Sequence, residues 1–178
     1  MQIEHGLLAE ARQHPSPNCD DRPDDVSLLV VHGISLPPGK FGGPWIDDLF
    51  TNKLDPEEHE YFQTIHTLKV SSHVLIRRDG ELVQYVPFHK RAWHAGESSF
   101  KDKTCCNDFA IGIELEGTDD TAYTESQYQQ LARLITDLQA VYPAITAERI
   151  VGHCDISPGR KTDPGPAFDW PHLQSLLA

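Results

Sequence analysis

Residues 27–32 read S-L-L-V-V-H and are followed at once by Gly33. An unbroken apolar run of this length fits a strand buried on both faces, because a strand with one wet face alternates apolar with polar residues. Such a strand has to lie inside a sheet, with further layers covering it on either side. The histidine at its end, where the apolar run meets a glycine turn, projects from the rim of that sheet.

The rest of the chain supplies the other layers. Segments 73–77 and 82–86 flank R-D-G-E at 78–81, and an Asp-Gly between apolar runs predicts an antiparallel hairpin. In 110–117 Ile111, Ile113 and Leu115 alternate with Gly112, Glu114 and Glu116, which predicts a strand with one apolar face and one wet face bearing two carboxylates. Thr124 and Gln127 form a capping box ahead of the stripe Tyr128, Leu131, Leu134, Ile135, Leu138 and Tyr142, a helix that Pro143 stops. A short strand at 149–151 and a closing helix after Asp169 follow. Short helices are expected from Pro44 and from D-P-E-E at 55–58, the second carrying Tyr61. The Gly/Pro-rich segment 33–45 reads as a loop wall, and the polar segment 97–108 as a long functional or mobile loop. Residues 1–25, with Pro15, Pro17 and Pro23, read as a polar arm, weakly ordered or hugging the surface. Together these patterns predict an α/β or α+β fold, a central mixed β-sheet flanked by helices. At 178 residues the chain is one domain, 1–178.

Chemistry concentrates in 151–166, V-G-H-C-D-I-S-P-G-R-K-T-D-P-G-P, where three prolines and three glycines predict a shaped loop rather than a helix or strand. His153 and Asp163 there, with His32 from the strand end, make two imidazoles and one carboxylate. That is the ligand set of a catalytic zinc site with a fourth position for water, whereas structural zinc sites are closed and favour thiolates. A zinc hydrolase also needs a base, and Glu114 or Glu116 fits that role. Lys161, two residues from Asp163, is either an exposed charge or a partner for the oxyanion formed on an attacked carbonyl. His94, beside Trp93, either contacts a ligand or caps a loop. Cys154 reads as a small buried thiol, since adjacent residues seldom point at one ion.

A net charge of −12 leaves no basic field for nucleic acid or anionic lipid. The apolar runs fall far short of the roughly 20 residues of a membrane helix, and the first residues show no secretory pattern. The four cysteines, 19, 105, 106 and 154, form no C-x-x-C pair and read as free thiols of a reducing, cytoplasmic compartment.

V-V-H-G at 30–33, W-H-A-G at 93–96, I-G-I-E-L-E-G at 111–117 and G-H-C-D-I-S-P-G-R-K-T-D-P-G-P resemble the zinc N-acetylmuramoyl-L-alanine amidases, the group that includes phage lysozyme-amidases and peptidoglycan recognition proteins. H-G-I-S-L-P-P-G-K-F-G-G-P-W-I-D and K-T-D-P-G-P-A-F-D-W extend the resemblance, from about His5 onward, to the cytoplasmic branch acting on 1,6-anhydro-muropeptides. The resemblance implies that His32, His153 and Asp163 hold Zn2+, that Glu114 rather than Glu116 is the catalytic acid/base, and that Lys161 is the oxyanion partner. Tyr61 and Trp93 are implied to border the substrate, and His94 stays a further candidate contact from its place beside Trp93. The implied reaction is hydrolysis of the amide between the lactoyl group of anhydro-N-acetylmuramic acid and L-Ala of the stem peptide, in peptidoglycan recycling. A lytic amidase on intact wall and a non-catalytic fragment-binding module are the competing functions. One departure is Cys105, where the family places a basic residue. Carboxylates of the stem peptide are therefore expected to rely on other cations, with Arg77, Arg91 and Arg160 as candidates.

Overall fold

The computed structural model describes residues 1–178. A six-stranded mixed sheet forms its centre: β1 (Arg12–Gln13), β2 (Leu28–Ile34), β3 (Val74–Ile76), β4 (Leu82–Gln84), β5 (Ala110–Glu116) and β6 (Ile150–Gly152), in the order β6-β2-β5-β3-β4-β1. Strands β6, β2, β5 and β3 are parallel; β4 turns back against β3, and β1 runs along β4.

The continuous apolar run of β2 is explained by cover on both faces. Leu29 and Val31 pack with β5 and with the long helix α3 (Glu125–Val141), while Leu28 and Val30 pack with Ala95, Phe109 and Ile156 on the other side. Two short helices, α1 (Trp45–Phe50) and α2 (Phe62–Ile65), lie between β2 and β3. The predicted hairpin is present, with the Arg77 N–H donating to Glu81 O at 2.9 Å. Gly80 supplies its turn with φ of +93°, a conformation costly for any residue with a Cβ.

The capping box of α3 forms as its residues predict. Thr124 Oγ1 accepts from the Gln127 N–H at 3.2 Å, and Gln127 Oε1 accepts from the Thr124 N–H at 3.0 Å. Both side chains also reach the sheet, Thr124 Oγ1 donating to Arg78 O and Gln127 Nε2 to Ile76 O and Glu116 O. Thr124→Ala is therefore expected to cost about 1–2 kcal/mol, seen as a lower urea midpoint with an unchanged m-value. A midpoint equal to the parent's would mean the cap contributes nothing. The closing helix, α5 (Trp170–Leu177), starts at Asp169, whose carboxylate accepts from the His172 N–H at 2.9 Å.

Four expectations need correction. The N-terminal segment is part of the fold: Leu8 and Ala11 join the main core, and Cys19–Asp21 pairs with Lys90–Ala92. Its polar residues satisfy buried backbone, as where Asn18 donates to Phe50 O and Val70 O. The second short helix begins later than D-P-E-E, because Asp55 Oδ1 caps a local turn at Glu57, and Tyr61 is the N-cap of α2. Segment 97–108 holds a two-stranded ribbon, Ser99–Phe100 with Lys103–Thr104, and a single turn at Cys106–Asp108. Finally, β5 has no wet face. Glu114 and Glu116 are 8% and 2% exposed, because β5 lies between β2 and β3 and loops fold over its second face. Alternation reveals which side chains share a face; what lies above that face is a tertiary matter.

Candidate functional site

Because β2, β5 and β6 are parallel neighbours, their C-terminal ends converge on one edge. His32 lies near the end of β2, and Glu114 sits opposite it in register on β5. The segment expected to be loop throughout departs from that expectation at its start. Gly152 closes β6, and His153 opens a one-turn helix, α4 (His153–Ile156), held by Asp155 Oδ2 accepting from the Gly152 N–H at 2.7 Å. Past that turn, the Cys154 N–H donates to Asp163 O at 3.0 Å, which returns Asp163 to the side of His153.

His32, His153 and Asp163 thus form a group that can hold a metal ion. Their facing atoms are close: His32 Nδ1 is 3.0 Å from His153 Nδ1, His153 Nδ1 is 3.1 Å from Asp163 Oδ2, and His32 Nδ1 is 3.4 Å from that same oxygen. Burial lowers the His32 pKa to about 4, so its imidazole is neutral at neutral pH, the state a ligand needs. Burial works against the Asp163 carboxylate, but its close contacts with the His153 and His32 imidazoles outweigh it and hold the carboxyl well below its usual range.

The two glutamates of β5 differ in what surrounds them. Glu116 accepts from the Gly42 N–H at 2.6 Å and the Arg78 N–H at 3.2 Å, and lies 3.5 Å from Arg77. It anchors the loop wall to the sheet. Glu114 Oε2 is buried without a hydrogen-bond partner. Burial first, and the nearby Asp163 carboxylate second, push its pKa well above the ordinary value against the pull of Lys161. Glu114, Lys161 and the three metal-capable residues line one cleft of about 280 Å3, with Tyr61, Trp93 and His94 also on its walls. Lys161 is exposed and makes no ion pair.

Arg77, Arg91 and Arg160, expected to serve substrate carboxylates, are already engaged by the protein. Arg77 pairs with Asp47, Glu81 and Glu116; Arg91 pairs with Asp20 and Asp108; Arg160 donates to Ala95 O, Glu97 O and Ser157 Oγ. The sequence did not single out Asn107, whose Oδ1 accepts the N–H groups of both His94 and Ala95, nor His73, which lies fully buried beside His94. Neither stands in a motif, and both act across loops.

Burial, then the charge of Arg22, lowers the His73 pKa to about 3. Between that value and the unfolded value near 6.5, the unfolded chain binds a proton that the native chain does not. Stability therefore falls as pH drops below about 6.5, and His32 acts in the same direction. For metal-free protein the expected loss approaches about 1.4 kcal/mol per pH unit for each such imidazole. Urea midpoints at pH 7, 6 and 5 measure it, and a flat profile would refute the neutral state of these rings.

A mixed sheet whose parallel edge gathers two imidazoles, a carboxylate and an unpartnered buried glutamate defines an α/β protein with a cleft whose side chains could hold a metal ion. The chain belongs to the N-acetylmuramoyl-L-alanine amidase family, whose model matches residues 22–166. It is 64% identical over 180 residues to the 1,6-anhydro-N-acetylmuramyl-L-alanine amidase AmpD of Salmonella typhimurium strain LT2, covering 100% of this chain and 96% of that protein. The crystal structure of a selenomethionine AmpD derivative superposes with a TM-score of 0.98 at 62% identity, covering 100% of both chains. The amidase AmiD of Escherichia coli, in complex with the substrate anhydro-N-acetylmuramic acid-L-Ala-D-gamma-Glu-L-Lys, gives a TM-score of 0.62 at 29% identity, covering 88% of this chain and 60% of that one.

Proposed function

We propose that this chain is a zinc-dependent amidase that hydrolyses the bond between the lactoyl group of 1,6-anhydro-N-acetylmuramic acid and L-Ala of the stem peptide, as part of peptidoglycan recycling. The observation that carries the zinc assignment is the triangle of donor atoms, with edges of 3.0, 3.1 and 3.4 Å. A tetrahedral zinc with bonds of about 2.0–2.1 Å places its ligand atoms roughly 3.3 Å apart, which fits this triangle. The donor set contains no thiolate, and Cys154 is not part of the group. Such a set is used where zinc does chemistry rather than closes a fold.

Zinc bound there supplies Lewis-acid polarisation and lowers the pKa of a water to about 7. The remaining work belongs to side chains. Glu114 takes the proton of the attacking water on its unpartnered oxygen and passes it to the leaving amine, a role suited to a carboxyl whose burial favours the protonated form. Lys161, without an ionic partner of its own, faces the negative charge that develops on the attacked carbonyl oxygen. Tyr61 and Trp93 give the cleft an aromatic border that holds the fragment in place. Small muropeptides are the partners this reading implies. No helix is long and apolar enough to cross a membrane, and four free cysteines support placement in the cytoplasm.

The test is release of stem peptide from anhydro-muramyl tripeptide, followed by mass spectrometry with and without chelator. Release should stop on chelation and return with zinc. Zinc-loaded protein that binds the fragment without cutting it would instead be a recognition module, and rapid digestion of intact sacculi would place it among lytic enzymes.

A further inference from the structure

His32 turns Nδ1 to the donor triangle, so its Nε2 points the other way, and the atom it meets is His94 Nδ1 at 2.9 Å. The rings meet edge-on, with centroids 5.0 Å apart and planes at 89°. We propose that His94 is a positioning residue that accepts the Nε2–H of His32 and so fixes the tautomer and orientation in which His32 offers Nδ1 to the metal. This inference rests on the zinc site proposed above.

A ligating imidazole ordinarily hands its second N–H to a carboxylate, a backbone carbonyl or water, and that partner orients the ring. His153 follows this pattern, with Nε2 3.2 Å from Ala95 O. His32 is served by another imidazole instead. For His94 Nδ1 to accept, the proton of His94 must sit on Nε2, and that nitrogen is buried with no hydrogen-bond partner. An unpartnered buried N–H opposes folding, so a ring kept in this place contributes something other than stability.

The surroundings are shaped to hold it. Gly112 lies under the ring, where any Cβ would collide with His94. Asn107 Oδ1 accepts from the His94 and Ala95 N–H groups at 3.0 and 2.8 Å, which pins the turn that carries both. One turn thus orients both imidazoles, His32 through the His94 ring and His153 through the Ala95 carbonyl.

The experiment is zinc affinity by equilibrium competition with a chelator for wild type, His94→Leu and His94→Asn, together with the melting temperature of each metal-free protein. His94→Leu should bind zinc about 10- to 100-fold more weakly while melting no lower than wild type. His94→Asn, whose Oδ1 can accept in place of Nδ1, should recover most of the affinity. Long-range 1H–15N spectra of zinc-loaded wild type should place the His94 proton on Nε2, a result independent of how any variant folds. A folded His94→Leu with wild-type affinity, a raised KM as its sole defect, or a proton on His94 Nδ1 would overturn the proposal. Failure of wild type itself to bind zinc would instead remove the metal site on which it rests.

Discussion

Asp163→Ala is expected to leave a folded protein that holds almost no zinc and has no amidase turnover above background. Asp163 brings the anionic oxygen of the donor triangle, and without it two imidazoles remain, one already neutral through burial. Loss of an outer partner of a metal ligand costs about 10- to 100-fold in affinity, so loss of a ligand should cost at least about 100-fold. The fold should survive because the local tie to the rest of the site is made by the backbone, Asp163 O accepting from the Cys154 N–H at 3.0 Å. Metal content after dialysis and the rate of stem-peptide release measure the two effects. Stoichiometric zinc with full turnover would break the assignment of the site.

Glu114→Gln separates chemistry from metal binding. Zinc content should stay at the wild-type level, since Glu114 is outside the donor triangle, while kcat should drop about 10^2- to 10^4-fold with the proton carrier gone. A second signature comes from linkage in metal-free protein. The folded Glu114 pKa is raised, so its favourable contribution is complete below the unfolded value near 4.5 and is lost as pH climbs through the folded value. Glutamine has no such loss. The variant should therefore gain stability relative to wild type as pH rises from about 4.5 toward neutrality, and equal urea midpoints across that range would contradict the buried, unpartnered state of the carboxylate.

Much of this was visible in the amino-acid order, for identifiable reasons. A run of apolar residues such as Leu28 to Val31 permits few environments, and a capping box is a local interaction complete within four residues, so β2 and the start of α3 were legible. His32, His153 and Asp163 were legible as a set because each stands beside a glycine or proline in a distinctive motif, although the glycine turn expected after His32 is absent: β2 continues through Gly33 to Ile34, and Gly152 belongs to β6. What failed was knowledge of neighbours. Glu114 and Glu116 are equivalent by periodicity; what distinguishes them is that Gly42, Arg78 and Arg77 reach one and not the other. Arg77, Arg91 and Arg160 looked available for ligand because their carboxylate and carbonyl partners come from distant segments. Asn18 looked like part of a loose arm because its buried backbone partners lie 32 and 52 residues away.

The two imidazoles stand 121 positions apart, and one of them follows directly on β6, an edge strand that touches β2 at only three registered pairs. An ion shared between them, as proposed, would act as a rivet joining the margin of the sheet to its interior. Withdrawing it loosens that margin first, so 150–166 should peel away and become open to proteases while the hairpin and α3 stay closed. In a zinc-starved cell, turnover of this polypeptide would begin at that seam.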